Sequence, residues 1–147
     1  MRTRQILCPT DFSETASHAL KYAIEMANLY HVNIRLLHVM SDVYSQHNYG
    51  IIVETPVDLE HKVEDFTREK LTKLASEINT HLDEELSVIP VIRSGDVISQ
   101  VLEESVEQGV GMVVMASHGH TGLSHLLNPN VAEAITNKAK CPVLVVK

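Results

Sequence analysis

The sequence predicts an α/β protein built on an open, mostly parallel sheet with helices on both faces. Short apolar runs rich in Val, Ile and Leu recur along the chain, and the segments between them repeat apolar residues at three- and four-residue spacing. That alternation is the signature of strand–helix–strand crossovers, which bury each strand on both sides. The third observation is size: 147 residues with 44% hydrophobic content suit one domain, residues 1–147, with a core that needs neither metal nor crosslink.

The elements follow in order. A first strand is expected at Gln5 to Pro9. The helix after it, Ser13 to Tyr30, places Ala16, Ala19, Leu20, Ala23, Ile24 and Ala27 on one face, with Asp11 or Ser13 as its cap. Val32 to Val39 reads as the second strand, and Met40 to Pro56, without a clear period, as loop. In the next helix, Val57 to Asn79, the stripe Leu59, Val63, Phe66, Leu71, Leu74 and Ile78 is expected to be core. Leu86 to Arg93 makes the third strand. Ser94-Gly95-Asp96 supplies a turn and cap for a helix in which Val97, Ile98, Val101, Leu102, Ser105 and Val106 repeat. Met112 to Ala116 is the fourth strand, Ser117 to Pro129 a loop, Asn130 to Ala139 a helix, and Pro142 to Val146 the fifth strand.

Composition excludes whole classes of function. The 19 acidic against 12 basic residues, a formal charge of −7, are the wrong sign for unspecific binding to phosphate backbones or anionic membranes, so neither nucleic acid nor membrane is an expected partner. No apolar run approaches the roughly 18–20 residues of a membrane span, and MRTRQILCPTDF turns polar too soon for a signal peptide. A cytoplasmic location is expected. Cys8 and Cys141 lie in strand-like contexts and read as small buried hydrophobes.

Two constellations invite chemistry. His118, His120 and His125 lie close together, and imidazole suits zinc, nickel and copper. Their spacing matches no strong ligand motif and no cysteine accompanies them, so they read as loop histidines near a pocket mouth, and no metal is expected. Ser117 beside His118 suggests a nucleophile and its base. Neither a G-x-S-x-G elbow nor a G-x-x-x-x-G-K-[ST] loop is present, and the expectation is a protein that is not an enzyme, with no catalytic residues.

The segments ILCPTDFS (Ile6 to Ser13), SHGHTG (Ser117 to Gly122) and CPVLVV (Cys141 to Val146) together resemble the universal stress protein, or UspA-type, family over essentially the whole chain. The resemblance implies a five-stranded parallel sheet of order 3-2-1-4-5, a Rossmann-like, adenine nucleotide alpha hydrolase-like arrangement. Its winding reverses between the first and fourth strands, and ligands of open α/β sheets sit in the crevice outside the carboxyl ends of those strands. Here that means Pro9, Thr10, Asp11, Met115 and Ala116.

ATP-binding members carry G-x2-G-x9-G-[ST] after the fourth strand, whose glycines let backbone N–H groups approach phosphates. Aligned on this chain, the pattern reads Ala116, Gly119 and Pro129-Asn130. Pro129 has no N–H to donate; Asn130 can cap the last helix and offer its amide, and Val131 follows it. On the nucleoside side, Val39 matches the backbone position that meets the adenine, and Asp11 can accept a ribose hydroxyl, cap the first helix, or do both.

The implied ligand set is therefore Pro9, Thr10, Asp11, Val39, Met115, Ala116, Gly119, Asn130 and Val131. No cofactor is required; ATP or AMP is a candidate ligand, with Mg if ATP. The leading functional reading is a non-enzymatic stress-response or signalling module with a degraded nucleotide pocket. The alternatives are an ATP- or AMP-binding member and a weak nucleotide hydrolase. A homodimer through the last strand, Pro142 to Val146, is expected because that strand is an apolar edge, and the resemblance implies the same dimer.

Overall fold

The computed structural model describes residues 4–40, 56–118 and 127–147. In chain order the elements are β1 (Ile6–Pro9), α1 (Glu14–Tyr30), β2 (Ile34–Met40), α2 (Pro56–Asn79), β3 (Val88–Ser94), α3 (Val97–Glu107), β4 (Met112–Ala116), α4 (Pro129–Lys138) and β5 (Val143–Val146). The strands form one sheet of order β3-β2-β1-β4-β5, and every pairing is parallel. The loop expected between Met40 and Pro56 falls on residues 41–55, outside the described residues.

β1 occupies the centre because it can be buried on both sides. Ile6, Leu7 and Cys8 are wholly inaccessible, and no charge interrupts the strand, as a strand covered on two faces requires. Burial pushes the Cys8 thiol up to about 12, so it behaves as a hydrophobe; Cys141 is half-buried. Right-handed crossovers put α1 and α2 on one face and α3 and α4 on the other, consistent with α1 lying on β1 and β4, α2 on β3 and β2, and α3 on α4 and β2. Ala16, Ala19, Ala23 and Ala27 are fully buried, and their small size lets α1 approach the sheet closely.

The caps explain where elements start and stop. Asp96 accepts the Ser99 N–H at 2.9 Å, and Gly95, at φ 130°, makes the turn before it in a region a side chain rarely adopts. His31 closes α1 in the left-handed region at φ 55°, after which the Val32 N–H still bonds the Ala27 carbonyl at 3.0 Å. Val32 is thereby spent on the helix end, and β2 starts at Ile34 instead of Val32. Likewise a turn from Leu86 N–H to the Asp83 carbonyl, 2.9 Å, delays β3 to Val88. Pro142 precedes β5; its carbonyl accepts the Val113 N–H at 2.9 Å.

Three expectations are corrected. Phe66 is 67% exposed, not core; the buried face of α2 is Thr67, Leu71, Ala75 and Ile78, and Phe66 lies about 100° of helical turn away from Thr67. Val106 is 57% exposed. Asn130 is not a cap: Asn128 accepts the Val131 N–H at 3.0 Å, and α4 starts with Pro129, whose fixed φ suits the first helical position.

One buried charge ties both sheet and helix together. Glu104 of α3 is 2% exposed. Its Oε1 accepts from Arg35 Nε at 2.8 Å and lies 2.7 Å from Nη2, while Oε2 accepts from Arg93 Nη1 at 2.7 Å. Arg93 also donates to Gln100, Glu103 and Glu107. The carboxylate thus joins β2, β3 and α3. Removing a buried ion's partner strands the charges left behind, so Glu104→Leu is expected to cost about 3 kcal/mol, read from the urea midpoint at unchanged slope, with Glu104→Gln losing less because its one carbonyl oxygen can still accept from one of the two arginines.

Candidate functional site

The winding reverses between β1 and β4, so the chain leaves their carboxyl ends toward opposite faces and a crevice opens there. On the β1 side the turn Thr10 to Ser13 is defined by its own side chains. The Thr10 hydroxyl oxygen accepts the Phe12 N–H at 3.1 Å. Asp11 Oδ1 accepts the Ser13 N–H at 3.0 Å and the Ser13 hydroxyl proton. Phe12 between them is in the left-handed region at φ 64°, a costly conformation for a non-glycine residue that local contacts must hold.

Ser13 is the N-cap of α1, its Oγ accepting the Ala16 N–H at 3.1 Å. Because its single proton goes to Asp11, the contact of Ser13 Oγ with Thr15 Oγ1 at 3.1 Å has Thr15 as donor. Of the two cap candidates, Ser13 caps and Asp11 braces it. Only one carboxylate oxygen is used for this. Asp11 is 6% exposed, and among the described residues its Oδ2 is buried without a hydrogen-bond partner. A buried acceptor left open is costly in a carboxylate.

The other expected residues lie at the ends of the strands. Thr10 is buried, and its N–H extends the ladder to the Leu37 carbonyl at 2.8 Å. Val39, 3% exposed, pairs with Arg93 at the end of β2. Met115 and Ala116 are fully buried at the end of β4, where the Ser117 N–H bonds the Val146 carbonyl at 2.8 Å. Gly119, His120 and His125 lie outside the described residues.

The α4 side is poor in donors. Pro129 has none, the Val131 N–H is taken by Asn128, and the Ala132 N–H returns to the Asn128 carbonyl. Among the described residues, the exposed Asn130 N–H is the first-turn donor left over. Ser117 Oγ and His118 Nδ1 stand 2.9 Å apart at an exposed position. Among the described residues no three of His, Cys, Asp and Glu are grouped to hold a metal ion, and no helix is long and apolar enough to cross a membrane.

His38 was not singled out in the sequence, where it reads as one polar residue in an apolar strand. Its Nδ1 lies 2.8 Å from the Thr10 carbonyl oxygen, and since a carbonyl only accepts, Nδ1 carries the proton. Its ring centroid is 4.8 Å from that of Phe12, and Lys70 Nζ of α2 is 4.6 Å from the Phe12 centroid. Burial holds the imidazole below its usual value, with Lys70 adding to the effect, while the Thr10 carbonyl and Asp11 oppose it.

Sheet order and crevice together define a doubly wound α/β domain whose switch point presents a half-used, buried carboxylate. Comparison with known proteins makes the class specific. The universal stress protein family model matches residues 2–147, and the chain belongs to that family. Universal stress protein MJ0577 of Methanocaldococcus jannaschii is 31% identical, covering 98% of this chain and 94% of that one. Its solved structure has a TM-score of 0.80 over 100% of this chain and 97% of the other. Universal stress protein A homolog 1 of Coxiella burnetii is 29% identical, covering 99% of this chain and 97% of its own. The fold also matches a universal stress protein of Archaeoglobus fulgidus in complex with dAMP, at 21% identity, 100% coverage of both chains and a TM-score of 0.64.

The brace between Asp11 and Ser13 has a measurable signature. Ser13→Ala, which loses the cap, and Asp11→Ala, which loses the brace that holds it, should each cost about 1 kcal/mol, and the double variant should cost less than the sum, because each single change already breaks the shared contact. Strict additivity in a urea double-mutant cycle would show that the two side chains act independently.

Proposed function

We propose that this universal stress protein chain works as one domain that takes the nucleoside part of an adenine nucleotide at its switch point, prefers a monophosphate to a triphosphate, and acts as a non-enzymatic stress-response module. The observation that carries it is the buried, unpartnered Oδ2 of Asp11, an acceptor that suits a sugar hydroxyl. Pro9, Thr10 and Asp11 form the nucleoside side, the main chain at Val39 the base side, and Met115 and Ala116 the floor. Gly119, Asn130 and Val131 form the phosphate side.

The phosphate side is weakened by the donor count at α4: a helix start normally offers several free N–H groups to an anion, and Pro129 and the Asn128 cap together remove most of them. This is why AMP, which asks least of that end, is the favoured ligand, and why ATP, even with Mg, gains little from its extra phosphates. The dAMP held by the Archaeoglobus fulgidus relative supports the same class of ligand on this fold. Ser117 and His118 are chain neighbours whose side chains meet at an exposed position, outside the closed, water-excluding setting that a hydrolytic pair uses. In keeping with a composition without membrane or nucleic-acid features, the working place is the cytoplasm.

Calorimetric titration tests the ligand. AMP is expected to bind at least as tightly as Mg-ATP, and Asp11→Ala to weaken AMP about tenfold or more. Asp11→Ser, which keeps a short side-chain oxygen while losing the charge, should fold better than Asp11→Ala yet bind no better. Mg-ATP binding far tighter than AMP, or AMP affinity indifferent to both variants, would contradict the reading.

We further propose a homodimer through β5. The strand pairs with β4 on one side and is the sheet's edge on the other, where Val145 is 36% exposed. Antiparallel pairing about a two-fold axis satisfies both edges and leaves none to propagate. Light scattering at micromolar concentration should give about twice the 16.4 kDa chain mass, and Val145→Pro, which deletes a strand donor, should shift it toward monomer or aggregate. A monomeric wild type would contradict the dimer.

A further inference from the structure

The Thr10 peptide is gripped from both sides by consecutive residues of β2. The Leu37 carbonyl accepts the Thr10 N–H at 2.8 Å, and the His38 ring donates to the Thr10 carbonyl at 2.8 Å. In a continuing parallel ladder a strand N–H would take that carbonyl. Here the chain turns out of the sheet after Pro9, and a side chain takes over the bond that the ladder can no longer make.

The other contacts that shape the turn are local: Thr10 to Phe12 and Asp11 to Ser13 each span two residues. They define the turn's curvature but not its place on the sheet. The Leu37 carbonyl fixes where the turn leaves the ladder, and His38, separated from Thr10 by 28 positions, fixes the turn beyond it, its ring also backing the left-handed Phe12. Phe12 in turn meets the ammonium group of Lys70, so the turn is seated between β2 and α2.

We propose that His38 is the positioning residue of the crevice: by holding the Thr10 carbonyl and backing Phe12, its neutral ring keeps Asp11 with one oxygen on Ser13 and the other open to a ligand. The ligand part rests on the nucleotide reading above; the positioning part does not. Asp11, in the turn, and Lys70, on α2, are the charged groups that face the ring, and burial, abetted by Lys70, favours the neutral form. The folded-state value thus lies below that of the unfolded chain, about 6.5. The unfolded state then binds more protons as pH falls, and the contribution of His38 to stability is present above about pH 6.5 and lost as pH drops from there toward the folded value.

Three versions of the chain test this: wild type, His38→Asn, which places an amide donor near Nδ1, and His38→Leu, which keeps bulk without a donor. Amide hydrogen exchange at Phe12 and Ser13, with Leu7 as the internal control, is read together with AMP titration. His38→Leu is expected to speed exchange at Phe12 and Ser13 about tenfold relative to Leu7 and to weaken AMP about tenfold. His38→Asn should stay within about threefold of wild type in both, since the donor is kept. The nitrogen shifts of His38 should report the Nδ1–H tautomer, and the fall in wild-type stability below about pH 6.5 should shrink in His38→Asn.

An Nε2–H tautomer in wild type overturns the proposal, as does wild-type exchange at Ser13 in His38→Leu. If His38→Leu does not fold, a His38→Asn variant whose Phe12 and Ser13 amides exchange about tenfold faster than wild type relative to Leu7 overturns it. Should wild type bind no AMP, the nucleotide reading fails on its own, and the tautomer and the Ser13 exchange still decide the role of His38.

Discussion

Everything at the working end of this molecule depends on the burial of β1 between β2 and β4. A strand of Ile, Leu and Cys that meets no water on either face has to be covered by helices on both sides, and the crossovers that bring those helices leave in opposite directions. The two chain exits then part at the carboxyl ends, which creates the crevice. Function at this end is thus a by-product of how the core is closed, and the residues immediately past Pro9 inherit a position that is buried yet free of the ladder.

Polar groups in such a position need partners, and the turn supplies them unevenly. Thr10 is satisfied at its N–H, its carbonyl and its hydroxyl. Asp11 is satisfied at one oxygen only. That inequality separates the two parts of the crevice: the β1 side is a tightly braced turn with one open acceptor, whereas the α4 side has lost most of its donors to Pro129 and to the Asn128 cap. In the proposed reading, a nucleotide entering this crevice would be held by its sugar and base and only loosely by its phosphates. On the far side of the sheet, Glu104 and its two arginines tie the ends of β2 and β3 to α3, which steadies the strand on which both Val39 and His38 sit.

The strand content was legible because doubly covered strands cannot hide: β4 falls on the run Met112–Ala116 with the expected bounds, and the sheet order matches what the family resemblance implied. Strand starts were less legible, since Val32 and Leu86 are as apolar as their strands but are spent on closing a helix and a turn. Phe66 and Val106 misled for another reason. Apolar residues on α2 and α3 occupy more than one face, and periodicity alone does not say which face meets the sheet. The buried role of Glu104 depends on Arg35, which lies 69 positions away, a pairing that only the topology creates. At the crevice, the residue types on the β1 side could be read from CPTDFS, but the division of labour between Asp11 and Ser13, the cap by Asn128 in place of Asn130, and the grip of His38 on Thr10 are matters of geometry.

The central claim, that the open oxygen of Asp11 anchors a nucleoside, is tested most directly by following the Asp11 carboxyl carbon by NMR during titration with adenosine, which has no phosphate to bring the α4 side into play. A saturable shift of that carbon is expected, accompanied by the Ser13 amide and matched in direction by AMP. A carboxyl resonance that stays still while adenosine or AMP saturates other sites in the chain would contradict it.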